Sequence, residues 1–367
     1  MMQAAASPPG SLPRKRNLFG MDLGALQALV AELGEAPYRA RQLHAWLYRK
    51  RVRGLGEMTT LARAFRARLA EEHEVRWPSL AERQISSDGS VKYLFALDGG
   101  AMAESVFIPE ARRRTICIST QAGCPLKCAF CLTGVAGYRR NLDAGEILGQ
   151  VATVMEGAPE GRMGWNVVVM GMGEPLLNYD ATMGALRILM DPGAFAVSPK
   201  KLTLSTVGIL PALERLAQES VRPNLAISLH APTSELRRAL VPIEAKYPLD
   251  EVVAAAQRYP IPRGGPVTWE YVLLGGVNDQ PLQARQLARL LAGTRAKINL
   301  IPLNPAPEIP FRPPTPEAVD AFGKVLADAH FTVSVRKPRG QDILAACGQL
   351  HLKRGPARAR HGSASTT

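Results

Sequence analysis

The sequence predicts an α/β protein, a partial or closed β/α barrel preceded by a small N-terminal helical domain. Strand and helix patterns alternate between residues 115 and 337, an order typical of a parallel sheet. Short polar or glycine-containing loops follow most of these strands, where a barrel carries its chemistry. Three basic amphipathic patterns before residue 75 predict the helical domain.

The N-terminal region divides into two predicted segments. Residues 1–20 are expected to be disordered, and residues 21–88 to form the helical accessory domain. Asp22 is a suitable N-cap for the first helix, which is expected to end at Gly34. The other predicted segments are helices within 38–52 and 59–74 and a linker at 77–90.

The catalytic domain is predicted at 89–350 and a basic tail at 351–367. A β-hairpin over 91–110 opens the catalytic domain and turns at the sequence DGG. Six or seven strand–helix units follow, and Asp143 with Glu146 predicts a capping box at the start of one helix. The predicted strands are TICIST, WNVVVMG, KLTLST, NLAISLH, VTWEYVLL, KINLIPL and FTVSVRK.

The chain is strongly basic, since 45 Lys and Arg against 32 Asp and Glu give a net charge of +13. The excess concentrates towards both ends, which favours binding of nucleic acid over the alternative of an enzyme that is merely basic. The sequence contains no run of 18 apolar residues and no apolar N-terminal stretch typical of a signal peptide. A cytoplasmic protein without a membrane partner is therefore expected, and it is expected to be a monomer.

Four of the five cysteines lie in the stretch CISTQAGCPLKCAFC, residues 117–131. Cys124, Cys128 and Cys131 have the spacing C-x3-C-x2-C, whereas structural zinc sites use paired knuckles that supply four closed ligands. Three thiolates on one loop are better suited to a 4Fe–4S cluster with one iron left open to a substrate. Zinc and chance clustering remain alternatives, and the zinc alternative implies an RNA-binding protein without catalysis.

With Phe130 before its last cysteine, this loop resembles the signature of radical S-adenosylmethionine (SAM) enzymes. The stretches AESVFIPE, GCPLKCAFC, GMGEPLLN, STVGI, SLHAP, PLNP and ACGQL occur in this order along the chain. Together they resemble the dual-specificity RNA adenine-C2 methyltransferases of that superfamily, over residues 20 to 350. The resemblance implies a radical SAM β/α barrel, one 4Fe–4S cluster on the three loop cysteines, and two molecules of SAM per turnover.

The resemblance also implies roles for the other two cysteines and for one carboxylate. Cys347 is expected to receive a methyl group from one SAM, and a 5′-deoxyadenosyl radical from the second SAM then takes a hydrogen from that methyl group. The carbon radical adds to C2 of adenine, Glu104 accepts the C2 proton, and Cys117 releases the product by forming a transient disulfide with Cys347. An external electron donor such as flavodoxin with its reductase is implied as well.

The implied substrates are adenosines in 23S rRNA, at the peptidyl-transferase centre, and in tRNAs, 3′ of the anticodon. Basic helices and tail would contact phosphates, while the target base leaves its stack to reach the active site. The residues expected to bind SAM are Gly173, Glu174, Ser205, Ser228, Leu229, His230 and Asn304.

Three other enzyme classes are alternatives at this point. A sister group of enzymes shares the five cysteines and methylates C8 of the same ribosomal adenine. A radical SAM enzyme acting on a small molecule or peptide is opposed by the positive charge and by Cys347. A Rossmann methyltransferase is disfavoured because no G-x-G-x-x-G opens a helix after a strand.

Overall fold

The computed structural model describes residues 15–158 and 164–350. The predicted basic tail and residues 1–14 of the segment predicted to be disordered lie outside these residues. The prediction of disorder is wrong for residues 16–20, because Arg16–Asn17 form a strand and Leu18 and Phe19 are buried in the core. In the part of the chain that is described, no helix is long and apolar enough to cross a membrane.

The N-terminal module has three helices, as its hydrophobic pattern predicts. The first begins at Asp22, whose carboxylate accepts a hydrogen bond from the amide of Ala25 at 2.8 Å. A short parallel strand pair brings the two ends of the module together. Its elements are β1 (Arg16–Asn17), α1 (Leu23–Glu32), α2 (Tyr38–His44), which continues into a π-helical turn (Ala45–Arg49), α3 (Arg63–Glu72) and β2 (His73–Glu74).

The centre of the molecule is a ten-stranded sheet of mixed direction. Its strands are β3 (Ser79–Ile85), β4 (Val91–Ala96), β5 (Met102–Glu110), β6 (Arg113–Cys117), β9 (Trp165–Val169), β10 (Leu202–Thr206), β11 (Asn224–Ser228), β12 (Val267–Leu273), β13 (Ala296–Pro302) and β14 (Thr332–Val335). They are ordered β14-β13-β12-β11-β10-β9-β6-β5-β4-β3. Strand β6 and the strands from β9 to β14 are parallel, as predicted, and β3 to β6 pair antiparallel. Within the described residues the pairing does not close on itself, which corresponds to the partial barrel.

Strand β3 lies where the sequence predicts a linker. Most of its residues are exposed, because it is the outermost strand of the sheet. Its sequence therefore lacks the apolar alternation that marks a half-buried strand, and pairing with β4 stabilises it instead. The predicted hairpin is confirmed as β4 and β5, with its turn at Asp98–Gly100.

In the described residues, eight α-helices follow β6 along the chain. They are α4 (Leu132–Ala136), α5 (Ala144–Gly157), α6 (Tyr179–Met190), α7 (Leu210–Ala217), α8 (Ser234–Leu240), α9 (Leu249–Arg258), α10 (Pro281–Leu290) and α11 (Pro316–Asp328). The predicted capping box of α5 is present. Two further strands, β7 (Gln121–Gly123) and β8 (Tyr138–Asn141), form a separate pair around the cysteine loop.

One connected hydrophobic core joins the N-terminal module to the sheet. It includes Leu43 and Leu47 of the module as well as Ile116 and Leu148 of the barrel region, all fully buried. The module is therefore packed on the barrel. Because parallel strands end at the same edge of a sheet, the loops after β6, β9, β10, β11 and β13 open at one edge.

Candidate active site

A cavity at this edge collects most of the residues that the sequence singles out. We call it the cluster cavity. Loops after five strands of the sheet, β6, β9, β10, β11 and β13, contribute to it together with residues of β12, and the loop beyond β14 closes it. Its polar and cysteine lining consists of Cys124, Cys128, Cys131, Thr133, Glu174, Ser205, Ser228, His230, Glu270, Asn304, Arg336 and Cys347, together with Gly171 and Gly173.

The cysteine loop is folded by its backbone and by one glycine. Gly123 has a φ of +82°, and a Cβ at this position would lie 1.9 Å from the carbonyl oxygen of Gly137. The amide of Cys124 donates to that same carbonyl at 3.0 Å, and the amide of Cys131 donates to the carbonyl of Cys128 at 3.2 Å. Only glycine permits this close approach of two chain segments. The contacts direct all three thiols to one cavity.

The three thiols fit a 4Fe–4S cluster better than a single zinc ion. Among the described residues, their sulfur atoms do not form a group in which every pair lies within 4.8 Å. A tetrahedral zinc with Zn–S bonds of about 2.3 Å would bring its sulfur ligands to about 3.8 Å from one another. Burial raises the pKa of Cys124 to about 12 and that of Cys128 well above its ordinary value. A metal centre supplies the positive charge that stabilises such buried thiolates.

Gly173 and Glu174 form the cavity wall beside the cysteines. Gly173 has a φ of +101°, and a Cβ there would lie 2.5 Å from the Cβ of Gln121. The carboxylate of Glu174 accepts hydrogen bonds from the amides of Leu176 and Val207, both at 3.0 Å. Burial raises the pKa of Glu174 to about 7. Each carboxylate oxygen keeps a further lone pair, so Glu174 can still accept from an ammonium group.

The two serines lie next to each other on adjacent strands. Ser205 is on β10 and Ser228 ends β11, and their hydroxyl oxygens are 3.2 Å apart. Both residues line the cluster cavity. They offer a pair of hydroxyls to a ligand with several polar groups, such as a ribose.

His230 and Leu229 follow β11 but differ in their surroundings. The Nδ1 atom of His230 accepts from the amide of Val272 at 3.1 Å. Burial, with a smaller effect of Arg237, lowers the pKa of His230 to about 3, so its ring is neutral and its proton is on Nε2. Leu229 is fully buried and is not part of the cavity lining, and its carbonyl accepts from Nε of Arg237 at 3.2 Å. The side chain of Leu229 therefore does not reach the cavity, and the expected contact with SAM would use its backbone.

A second cavity adjoins the first and contains the remaining two cysteines. We call it the thiol cavity. Cys117, at the end of β6, and Cys347 both line it. Burial, and then the charge of Cys347, raise the pKa of Cys117 to about 12. The two cavities share several lining residues: Cys131, Thr133, Met170, Gly171, Ile301, Asn304, Arg336, Cys347 and Gly348. Cys347 therefore faces both the loop cysteines and Cys117.

Arg336 is the cation of this junction, and the sequence-based reasoning missed it. It follows β14 and lines both cavities. The charge of Cys347 raises the pKa of Arg336 against the opposing effect of burial, and Glu270 and Cys117 act in the same direction as Cys347. The guanidinium acts against the burial that raises the pKa of Cys117. Its position directly after the last strand of the barrel was the available signal.

Glu104 lies on the second strand of the hairpin, outside the lining of both cavities. It is two residues before Val106, which lines the thiol cavity and pairs with Cys117, so both side chains share one face of β5. The carboxylate of Glu104 is buried, with Nζ of Lys92 at 3.4 Å from Oε1. Sequence reasoning missed Lys92, which gave no signal beyond its place in a strand.

Asn304 makes its contacts with the Cys347 loop rather than standing free in the cavity. Its Nδ2 donates to the carbonyl of Cys347 at 3.2 Å, and its Oδ1 accepts from Gln341 at 3.0 Å. An amide has one further donor hydrogen and further acceptor capacity. The expected contact of Asn304 with the adenine of SAM would use this remaining donor hydrogen and acceptor capacity.

Comparison with known proteins identifies the family. The Radical SAM superfamily profile matches residues 118–288, and that of the Ribosomal RNA large subunit methyltransferase N-terminal domain matches residues 16–75. A protein of Syntrophus aciditrophicus, named Dual-specificity RNA methyltransferase RlmN, is 46% identical over 337 residues, which are 92% of this chain and 97% of the relative. This chain belongs to the RlmN family.

Other relatives agree with this assignment. The RlmN protein of Marinobacter nauticus is 45% identical over 342 residues, covering 92% of each chain. A crystal structure of a radical SAM methyltransferase from Sphaerobacter thermophilus matches with a TM-score of 0.85 and 40% identity, covering 92% of this chain and 99% of that one. Membership of the RlmN family implies a 4Fe–4S cluster and SAM, for which the cluster cavity supplies suitable donors.

Proposed function

We propose that this protein is a radical SAM methyltransferase that methylates C2 of adenosine in 23S rRNA, at the peptidyl-transferase centre, and in tRNAs, 3′ of the anticodon. The observation that carries the proposal is the junction of the two cavities, where Cys347 faces the loop cysteines on one side and Cys117 on the other. RlmN relatives named for dual RNA specificity support the choice of substrate. Their names do not favour the C8-specific alternative.

The cluster cavity would hold both cofactors. Cys124, Cys128 and Cys131 would ligate a 4Fe–4S cluster, which with SAM supplies a carbon radical and, from two SAM per turnover, the transferred methyl group. At Gly173 the protein backbone can approach SAM closely, and Glu174 accepts a hydrogen bond from the ammonium group of SAM. The remaining SAM contacts are assigned to Ser205, Ser228, the Leu229 backbone, His230 and Asn304.

Cys347 and Cys117 divide the covalent chemistry between them. The thiolate of Cys347 accepts the methyl group, and this group loses one hydrogen atom before its carbon becomes joined to C2 of the adenine. The adduct then loses the C2 proton and one electron, which replaces the electron consumed in generating the radical. Cys117 attacks the sulfur of Cys347, so that the C–S bond breaks, a disulfide forms, and the released carbon takes up a proton to complete the new methyl group. Two electrons from an external donor, such as a flavodoxin with its reductase, return both cysteines to thiols. Arg336 stabilises the thiolate of Cys117 before it attacks.

Glu104 is assigned as the acceptor of the C2 proton. That proton becomes acidic only after C2 has been joined to the methyl carbon, so that a carboxylate can accept it. The Nζ atom of Lys92, 3.4 Å from Oε1, holds the carboxylate of Glu104 in its position. The placement of Glu104 on the face of β5 that carries Val106 supports this role, because Val106 lines the thiol cavity.

The helical module, residues 21–88, is assigned to RNA binding together with the tail, residues 351–367. Exposed cations on the module include Arg41, Arg49 and Arg63. Phosphate contacts of this kind position an RNA without reading its sequence, which suits an enzyme acting on two kinds of RNA. Its RNA substrates place the protein in the cytoplasm, where we propose that it acts as a monomer.

A denaturing gel tests the division of labour between the two cysteines. Cys117→Ala should accept the methyl group and join to RNA, then stall, because the attack that breaks the C–S bond is missing. Cys347→Ala can form no such adduct, although its cluster and SAM cleavage are preserved. Incubation with SAM, reductant and a tRNA substrate should give a shifted protein–RNA band only for Cys117→Ala. The reverse pattern would exchange the two roles, and no adduct in either variant would refute the covalent mechanism.

A further inference from the structure

Two aspartates join the loop that carries Cys347 to the distant turn between β3 and β4. The Oδ1 atom of Asp342 accepts from the hydroxyl of Ser86 at 2.6 Å, and its Oδ2 accepts from the amide of Ser87 at 3.0 Å. In the opposite direction, Oδ2 of Asp88 accepts from the amide of Gly340 at 3.0 Å. We call Asp88, Asp342 and these partners the aspartate clasp. It joins segments about 250 residues apart in the chain.

The backbone of the loop requires this close packing. Gly340 has a φ of +64°, and a Cβ there would lie 2.8 Å from the Cβ of Ala345 and 3.6 Å from that of Ser90. The amide of Ala345 donates back to the carbonyl of Gly340 at 2.8 Å, which closes a tight turn two residues before Cys347. A shift at Gly340 is therefore transmitted to the backbone next to Cys347.

The far side of Cys347 is attached to the cluster loop. The amide of Leu132 donates to the carbonyl of Gly348 at 2.8 Å, and the hydroxyl of Thr133 donates to the carbonyl of Leu350 at 2.7 Å. Cys347 thus lies between an anchor on the helix that follows Cys131 and the aspartate clasp on the hairpin. Hydrogen bonds on both sides of Cys347, to two different parts of the fold, therefore fix the position of its loop.

We propose that the aspartate clasp positions Cys347. By fixing the backbone of the loop, the clasp places the thiol where it accepts the methyl group and then reaches the adenine. The proposal rests on the role assigned to Cys347 above. Asp88 and Asp342 are positioning residues, since neither lines the cluster cavity or the thiol cavity. Radical generation at the loop cysteines is independent of the clasp.

The aspartates act as charged acceptors. Burial acts to raise the pKa of Asp88, but hydrogen bonds from Ser90 and Gly340 outweigh it and lower the value to about 2. The hydroxyl of Ser86, and then the amide of Ser87, lower the pKa of Asp342. Hydrogen bonds to an ionised acceptor are shorter and stronger than neutral ones, so asparagine is a weak substitute at both positions.

The test compares Asp88→Asn, Asp342→Asn and the double variant with the parent enzyme. Three quantities are measured: iron and sulfide content, the fraction of Cys347 carrying a methyl group by peptide mass spectrometry, and the ratio of 5′-deoxyadenosine formed to adenosine methylated. The clasp variants should keep their cluster and cleave SAM at the parent rate. The ratio should rise about tenfold in the double variant, because a displacement of roughly 1 Å of a reacting group costs up to about 100-fold in rate. Asp328→Asn, at an exposed ion pair with Lys324, is the matched control and should behave like the parent.

Two results would overturn the proposal. One is an unchanged ratio and unchanged methylation of Cys347 in the double variant. The other is a loss of cluster and of all partial reactions in the same proportion, which would make the clasp a general structural contact. If the parent enzyme itself methylates no RNA, the proposed function fails, and this outcome is visible before any variant is compared.

Discussion

The buried ion pair between Arg237 and Glu244 should contribute strongly to stability. Both side chains are 0% exposed, and Nη1 of Arg237 lies 2.6 Å from Oε2 of Glu244. The same guanidinium donates to the carbonyl of Val207 at 2.6 Å and to that of Leu229 at 3.2 Å. It therefore holds the loops that follow the two serine-bearing strands β10 and β11, and the second of these loops carries His230 of the cluster cavity.

The substitution Arg237→Met removes the cation and leaves the carboxylate of Glu244 buried without its partner. Breaking a buried pair in this way costs about 3–5 kcal/mol. The double variant Arg237→Met with Glu244→Met removes the stranded charge as well. It still leaves two backbone carbonyls without their donor and the amide of Leu249 without its acceptor, at about 1 kcal/mol each at the lower end of the range. We expect a loss of about 4 kcal/mol for the single variant and about 3 kcal/mol for the double variant.

The assay is urea denaturation of the apoprotein under anaerobic conditions, followed by tryptophan fluorescence, with the free energy of unfolding taken from midpoint and slope. Arg215→Met is the matched control, because its ion pair with Asp180 is largely exposed and such pairs contribute at most about 1 kcal/mol. The affinity for SAM should fall in Arg237→Met and not in Arg215→Met. A loss below about 1 kcal/mol for Arg237→Met, or a double variant less stable than the single one, would refute the reasoning.

Three further predictions concern the cluster, the base and the RNA. Replacing Cys128 by Ala should abolish iron–sulfur absorbance and SAM cleavage, and retention of both would contradict cluster ligation by this loop. Lys92→Met should slow methylation roughly tenfold or more while the cluster and SAM cleavage persist, because the ion pair that holds Glu104 in position is lost. Lys92→Arg keeps a cation and should restore part of the rate, and equal rates for the two variants would argue against this role. Replacing Arg41, Arg49 and Arg63 by Gln should weaken RNA binding and reduce the slope of log affinity against log salt by about one per lost phosphate contact. An unchanged slope would exclude these residues from the interface.

Sequence patterns predicted the parts of the fold that depend on local chemistry. The seven parallel strands, the hairpin turning at DGG and the capping box at Asp143 all follow from apolar periodicity and turn residues, and the structure confirms them. Strand β3 was missed because an exposed edge strand depends on its partner more than on its own residues. The N-terminal helices were found, but their shared core with the barrel was not, because packing between elements leaves no local signal.

The site shows the same division between local and long-range information. The spacing of Cys124, Cys128 and Cys131 can be recognised within one loop of the sequence. The resemblance of motifs added Cys117 and Cys347 to the predicted site. The aspartate clasp could not be found in this way, since it joins residues far apart in the chain, whereas the position of Arg336 directly after the last strand was a signal that was not used. Charged residues at such positions look like ordinary surface residues until the loop that they contact is in place.

The curvature of the parallel part of the sheet explains how Cys117 and Cys347 come together. Cys117 ends β6, Arg336 follows β14, and five strands lie between these two in the sheet. Both nevertheless line the thiol cavity, so the sheet curls until its two sides face each other across that cavity. A closed barrel would fill this seam with strand pairing, whereas the open seam leaves a cavity beside the two thiols. Lys337 and Arg339 also line the thiol cavity, and their charges suit the phosphates on either side of an extruded adenosine.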